Sequence, residues 1–150
     1  MANWHAVYFN DSMEQLYVDN STIPYTGKGL FTSRDISKDE LIVEYFGEIT
    51  TWDEVRHDIS NAYLYFVTED YVINAKNTPN SIARYANDAR GLTRLKGLNN
   101  NSKFVNVGGK IFIKATKNIP GGSEILVDYG KEYWETVRKN KRLEQQQSKP

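Results

Sequence analysis

Two β-rich runs, residues 103–107 (Lys-Phe-Val-Asn-Val) and 110–114 (Lys-Ile-Phe-Ile-Lys), stand on either side of Gly108-Gly109. Two glycines between runs of β-branched and aromatic residues form the two-residue connection of a β-hairpin, because both central positions of such a turn need a positive φ. This signal commits the second half of the chain to antiparallel sheet, and the rest is written in the same short phrases. Residues 15–18, 29–32, 40–46, 63–67 and 71–73 read as further strands, with Gly47 breaking the third. Thr51-Trp52-Asp53-Glu54 is a capping-box pattern that predicts a helix to about Ile59. Asn80-Ser81 is expected to cap one helical turn through Ala86, and 88–102 reads as an ordered loop holding three consecutive Asn. Pro120-Gly121-Gly122 makes a second turn. From Lys131 the pattern becomes helical and charged, with a frayed end over 145–150. The expected fold is mainly β, built of several small sheets and a C-terminal helix, with neither internal repeat nor interdomain linker.

Composition narrows the function. A chain of 150 residues has single-domain length and buries on the order of two thirds of its unfolded surface. Nineteen basic and nineteen acidic residues give a net charge of zero, which sets nucleic acid aside as the main partner. The absence of cysteine excludes disulfides, a Cys-based zinc cluster and a thiol nucleophile. The two histidines, His5 and His57, are too few and too far apart for an expected metal site. No apolar run has transmembrane length, and the start, Met-Ala-Asn-Trp-His, lacks the features of a signal peptide. The chain is expected to be intracellular and soluble, without a membrane partner. The basic stretch 138–142 reads as the charged face of a helix, in preference to a nuclear address.

Four segments carry the chemistry. Gly27-Lys28-Gly29 precedes a strand, so it is no phosphate-cradling loop, but it lets backbone pass close to a ligand. Glu44-Tyr45-Phe46-Gly47-Glu48 ends a strand with an aromatic and a kink. Arg84-Tyr85-Ala86-Asn87-Asp88 ends a helical turn with an Asn, whose amide donates to a carboxylate and accepts from an ammonium at once. Last comes an apolar strand closing on Asp128-Tyr129-Gly130, followed by Tyr133-Trp134. Singly, each has a plain structural explanation: a turn, a core tyrosine beside a bulge, an Asx stop, a strand-ending tyrosine.

In this order and spacing, residues 14–134 resemble the SET domain of protein lysine methyltransferases. The stretch from Leu16 to Phe31, with Gly27-Lys28-Gly29, is similar to the opening strand pair. Leu41 to Glu48 is similar to the E-Y-x-G-E element, and Asn74-Ala75 with Ser81 to Asn87 to the D-A and G-N-x-A-R-F-I-N elements. Ile119 to Gly130 is similar to the I-x-x-G-E-E-L-x-x-D-Y-G signature. The resemblance implies several small curved sheets, short helices, a threaded C-terminal segment and a C-terminal helix. Its domain reading is an N-terminal extension at 1–13, the SET domain at 14–134, and a C-terminal helix and tail at 135–150.

The resemblance further implies S-adenosylmethionine bound on one face and a substrate lysine entering a narrow channel from the other, with no metal. Lys28, Gly29, Arg84, Asn87, Asp88, Tyr129 and Trp134 are the expected cofactor-binding residues. Tyr129 and Tyr45 are the expected catalytic residues, and Tyr45, Tyr63, Val127, Tyr129 and Trp134 the expected channel. The attacking lysine must be neutral although its free pKa is about 10.4, and an apolar aromatic channel disfavours the ammonium. Tyr129 then orients the amine and need not act as a strong base, while alignment supplies much of the barrier reduction. Val127 replaces an aromatic of many relatives, leaving room for a di- or trimethyl product. The family's N-H-S-C-x-P-N becomes Asn87-Asp88-Ala89-Arg90-Gly91, and its second Asn falls among Asn99, Asn100 and Asn101. No Cys-rich segments flank the domain, so Tyr133, Trp134 and the last helix are expected to complete the channel. A histone tail is the expected substrate, which implies a nuclear location. The alternatives are a non-histone protein substrate and a SET-like peptide-binding module without catalysis. A monomer and a homodimer both remain open.

Overall fold

The computed structural model describes residues 15–91 and 94–147. The expected extension at 1–13, His5 and the last three residues of the expected tail lie outside the described residues. Among the described residues ten strands form three sheets: β1 (Leu16–Asn20), β2 (Lys28–Thr32), β3 (Leu41–Tyr45), β4 (Glu48–Thr50), β5 (Leu64–Thr68), β6 (Tyr71–Asn74), β7 (Ser102–Val107), β8 (Lys110–Ala115), β9 (Glu124–Ile125) and β10 (Val127–Asp128). Helix α1 spans Trp52–Val55 and α2 spans Lys131–Gln147, with a 3₁₀ turn at Ile82–Tyr85.

The hairpin forms in the register its sequence dictates. Ser102 lies opposite Ala115 and Val107 opposite Lys110, with Gly108 and Gly109 at φ 62° and 89°. Strand β3 joins β8 antiparallel, and β10 joins β7 parallel, completing the sheet β10-β7-β8-β3. The sheet β1-β2-β9 holds the first strand pair, and β4-β6-β5 forms the third. Leu30, Ile42, Ile113, Ile125 and Val127 meet fully buried between these layers. Each such side chain contributes about 1.5–3 kcal/mol from burial. A smaller cluster, Ile23, Ala89 and Leu126 with Leu98 packed on it, lies beneath the 88–101 loop.

One segment is gripped from three sides. Residues 124–125 pair with β2, Leu126 bridges Asn87 in parallel, and residues 127–128 run beside β7. The Leu126 carbonyl accepts from the backbone N–H groups of Asn101 and Ser102, and Val127 N–H donates to the Asn87 carbonyl at 2.9 Å. Segments 28–32, 86–88 and 101–103, distant in sequence, thereby fix the chain just before Tyr129.

Two local expectations are corrected. The helix opened by Thr51 stops at Val55, not near Ile59. Thr51 accepts from Glu54 N–H as the capping box requires, but Glu54 accepts from Thr50 Oγ1, and the run rich in Asp, Ser and Asn after Val55 closes successive turns instead. Ser81 makes no side-chain cap on the 3₁₀ turn. Its hydroxyl instead accepts from Phe46 N–H at 3.1 Å, which ties the end of β3 to the turn and sets Tyr45 relative to Ala86.

Candidate active site

The site is built on three consecutive residues, Ala86, Asn87 and Asp88. The Tyr129 hydroxyl donates to the Ala86 carbonyl through a short hydrogen bond. Its backbone N–H donates to Asp88 Oδ2 at 2.9 Å. The ring lies near parallel to Phe104 and to Trp134, with centroids 6.2 and 5.7 Å away, and meets Tyr133 edge-on. Tyr129 is therefore fixed at its hydroxyl, its backbone and its ring. Burial and the neighbouring Tyr133, Tyr45 and Asp88 push its pKa far above the usual tyrosine value, so the hydroxyl stays protonated. Tyr45 is shifted upward too, chiefly by burial.

Asp88 is the hub of this arrangement. Its carboxylate is buried, and Oδ2 accepts from Trp134 Nε1 at 2.7 Å as well as from Tyr129. Oδ1 accepts from Asn100 Nδ2 and Arg90 N–H, both at 2.8 Å. A buried carboxylate is tolerated when its lone pairs are this fully occupied. Trp134 also needs space: a side chain at Gly91 would put its Cβ 2.7 Å from the indole ring. The first turn of α2 is thus docked by an indole in a slot made by Asp88 and Gly91. From Glu135 onward the described side chains of α2 are exposed.

Asn87 joins the opening glycine segment to this strip. Its Nδ2 donates to the Lys28 carbonyl at 2.8 Å and approaches Glu124 Oε2 at 3.4 Å. Glu124 is buried and accepts from Ser21 Oγ, Thr22 N–H and Thr22 Oγ1, all uncharged donors. A side chain at Gly29 would collide with its carboxylate. Among the described residues no cation pairs with Glu124. A carbonyl, a side-chain amide and an uncompensated carboxylate gathered beside backbone free of a Cβ form a set that fits a cationic amino-acid moiety. The residues present therefore fit S-adenosylmethionine, which carries an ammonium and a sulfonium.

A narrow pocket of about 50 Å³ opens on the other side of Tyr129. Tyr45, Tyr65, Phe104, Tyr129 and Tyr133 supply its aromatic wall, with Ala62, Leu64, Ala83, Arg84 and Ala86. Tyr45 packs on Tyr65 and Phe104 at 5.8 and 5.9 Å between centroids. Burial raises the pKa of Tyr65, and burial followed by Asp88 that of Tyr133. Such a pocket offers a dry, flat-walled slot for an extended alkyl amine.

The structure separates the sequence-predicted residues into groups. Tyr45 and Tyr129 share the pocket wall, and Lys28, Gly29, Asn87 and Glu124 gather together. Tyr63 lies behind the wall, against Arg84 and Tyr85. Val127 is fully buried in the core, and Trp134 backs Tyr129 without lining the pocket. Arg84 stands at the aromatic pocket, apart from the Lys28–Asn87 junction. Sequence reasoning missed Tyr65, Phe104 and Glu124. The alternation of the predicted hairpin was the available signal for Phe104. Two of the three asparagines also acquire distinct roles: Asn100 serves Asp88 and Ala89, while Asn101 clamps the backbone of Glu124 and Leu126.

This fold is that of a known class. The SET domain family model matches residues 27–130. The chain belongs to the SET domain family. It is 32% identical over 111 residues to the H3 lysine-4 specific histone-lysine N-methyltransferase of Schizosaccharomyces pombe, covering 67% of this chain and 11% of that protein. It is 28% identical over 118 residues to the N-lysine methyltransferase KMT5A-A of Xenopus laevis, covering 69% of this chain and 33% of that protein. The chain therefore spans a third or less of these relatives' lengths. Among solved structures it is similar to a humanized mutant of the Chaetomium thermophilum Polycomb Repressive Complex 2 bound to the inhibitor GSK126. That likeness has a TM-score of 0.60 and 27% identity, over 77% of this chain and 15% of that one. Among the described residues no helix is long and apolar enough to cross a membrane, and no group of metal-ligating side chains occurs.

Proposed function

We propose that this chain is a protein-lysine N-methyltransferase that takes its methyl group from S-adenosylmethionine and acts on a histone tail. The observation that carries the reading is Tyr129, clamped by Ala86 and Asp88 between an aromatic pocket and the Lys28–Asn87 junction. The names of the relatives, two of them lysine methyltransferases, support it. When bound, S-adenosylmethionine supplies an activated methyl group on sulfur. The Asn87 amide and Lys28 carbonyl would hold its amino-acid end, with the Glu124 charge behind them. The pocket of Tyr45, Tyr65, Phe104 and Tyr133 strips water from the lysine chain and keeps the amine in line. Tyr129, its hydroxyl held protonated, fixes the dipole that faces the amine and takes no proton from it. Preorganised alignment and charge placement of this kind supply most of the rate enhancement in such reactions.

The reading extends to product. Val127 is buried in the core and does not line the pocket, so no hydroxyl is placed at the amine from that position, and a di- or trimethyl product is the reading this supports. A histone substrate places the protein on chromatin. Calorimetric titration should show S-adenosylmethionine binding that Asn87→Ala weakens by about tenfold or more, as expected for the loss of a hydrogen bond to a charged group. Mass spectrometry of core histones after exhaustive reaction should show a lysine gaining two or three methyl groups. A monomethyl end point would overturn the di- or trimethyl reading, and cofactor binding without any methylated lysine would favour a peptide-binding module.

A further inference from the structure

The pocket that receives a lysine already holds a cation. Arg84 Nη1 donates to the Ala75 and Lys76 carbonyls, both at 3.0 Å, and Nη2 donates to the Tyr85 hydroxyl at 2.7 Å. Its guanidinium carbon lies 4.8 Å from the ring centroids of both Tyr63 and Tyr85. The buried Nε has no partner. Every acceptor is uncharged, and among the described residues no carboxylate pairs with Arg84. The side chain is thus braced by two carbonyls and two rings while its charge stays uncompensated at the pocket wall. Serving only as a brace would not require a group that repels the substrate's own ammonium.

We propose that Arg84 keeps the incoming lysine neutral: its fixed positive charge at the wall of the aromatic pocket lowers the pKa of an amine bound there. This rests on the lysine-methyltransferase reading above and adds the source of the neutral nucleophile. The lysine gives its proton to solvent water on entering, and no protein base is required. Among the groups that line the pocket, Arg84 is the charged one, and its effect adds to that of the sulfonium of a bound cofactor. Tyr45, Tyr65 and Tyr133, like Tyr129, are held protonated by burial and carry no charge. Asp88, whose charge raises the pKa of Tyr129 and Tyr133, acts from behind Tyr129 and opposes Arg84 there, its carboxylate held by four uncharged donors. Lys76 turns its ammonium to Asp58 at 3.5 Å.

A like charge close by shifts an amine's pKa downward by about one unit or more. The pH dependence of kcat therefore tests the idea. With the native chain, the rise of kcat with pH should lie well below the pKa of free lysine. Arg84→Gln should move that rise upward by about one pH unit, so that activity falls about tenfold near pH 8 and recovers at higher pH. Arg84→Lys, which keeps the charge and loses the stacking, should retain the native profile. A peptide carrying the less basic sulfur analogue of lysine, S-aminoethylcysteine, supplies a second measure. Its rate relative to lysine should rise in Arg84→Gln, a ratio that holds whatever fraction of the variant folds. A uniform loss at every pH with an unchanged ratio would make Arg84 a brace alone and overturn the proposal. A native chain that transfers no methyl group to any lysine would instead overturn the function on which it rests.

Discussion

At the scale of single residues, the site turns on two side chains that contrast in their legibility. Tyr129 stood out in the sequence as the end of an apolar strand, and its surroundings account for its use. With a hydroxyl held protonated it serves as a fixed dipole, and Tyr129→Phe should lower kcat on the order of a hundredfold, read by labelled-methyl transfer. The same burial has a cost at high pH. A tyrosine with a raised folded-state pKa stabilises fully below the unfolded value of about 10 and progressively less above it. Denaturant titrations at alkaline pH should therefore lose about 1.4 kcal/mol per pH unit for each of Tyr129 and Tyr45. Asp88 was read in the sequence as an expected cofactor contact and as a departure from the family motif, and its structural role was not. Its consequence depends on Trp134 and Asn100, which approach from 46 and 12 residues away. Asp88→Ala strands the indole and backbone N–H groups it serves and should cost about 3 kcal/mol, measured by chemical denaturation.

Among the elements, those governed by local chemistry were read well. The β7–β8 hairpin follows from Gly108-Gly109, both at positive φ. Gly109→Val forces a β-branched residue into that region and should destabilise by about 1–3 kcal/mol, seen as a lowered Tm with an unchanged KM. Elements whose shape depends on partners were read less well. Ser81 was expected to cap its own turn, yet it serves Phe46, because an N–H leaving a buried strand end must be satisfied. The β10 strand is two residues long and exists only because β7 runs beside it. Nothing in Val127-Asp128 announces a parallel pairing. Phe104 and Tyr65 reach the pocket wall through sheet register, which the sequence implies for the hairpin but not for the approach of β5.

For the whole molecule, the three grips on residues 124–128 explain how a chain of short strands holds an accurate site. The core beneath them and the 86–88 strip above leave Tyr129 little freedom, while α2 contributes chiefly Tyr133 and Trp134. Ligand binding to a site assembled from such distant segments stabilises the entire fold. S-adenosylmethionine at a hundred times its Kd should raise stability by about 2.7 kcal/mol, visible as an increase in Tm that a tenfold weakening in Asn87→Ala cuts to about half at the same concentration. The central claim is methyl transfer to lysine at Tyr129, and one measurement addresses it most directly. Isotope-labelled S-adenosylmethionine is incubated with core histones and nucleosomes, using the native chain and Tyr129→Phe in parallel. Label on a histone lysine is expected with the native chain, and a sharp loss with the variant. Equal labelling by both would contradict the role of Tyr129, and a native chain that binds the cofactor but labels no lysine would contradict the claim that it is a lysine methyltransferase.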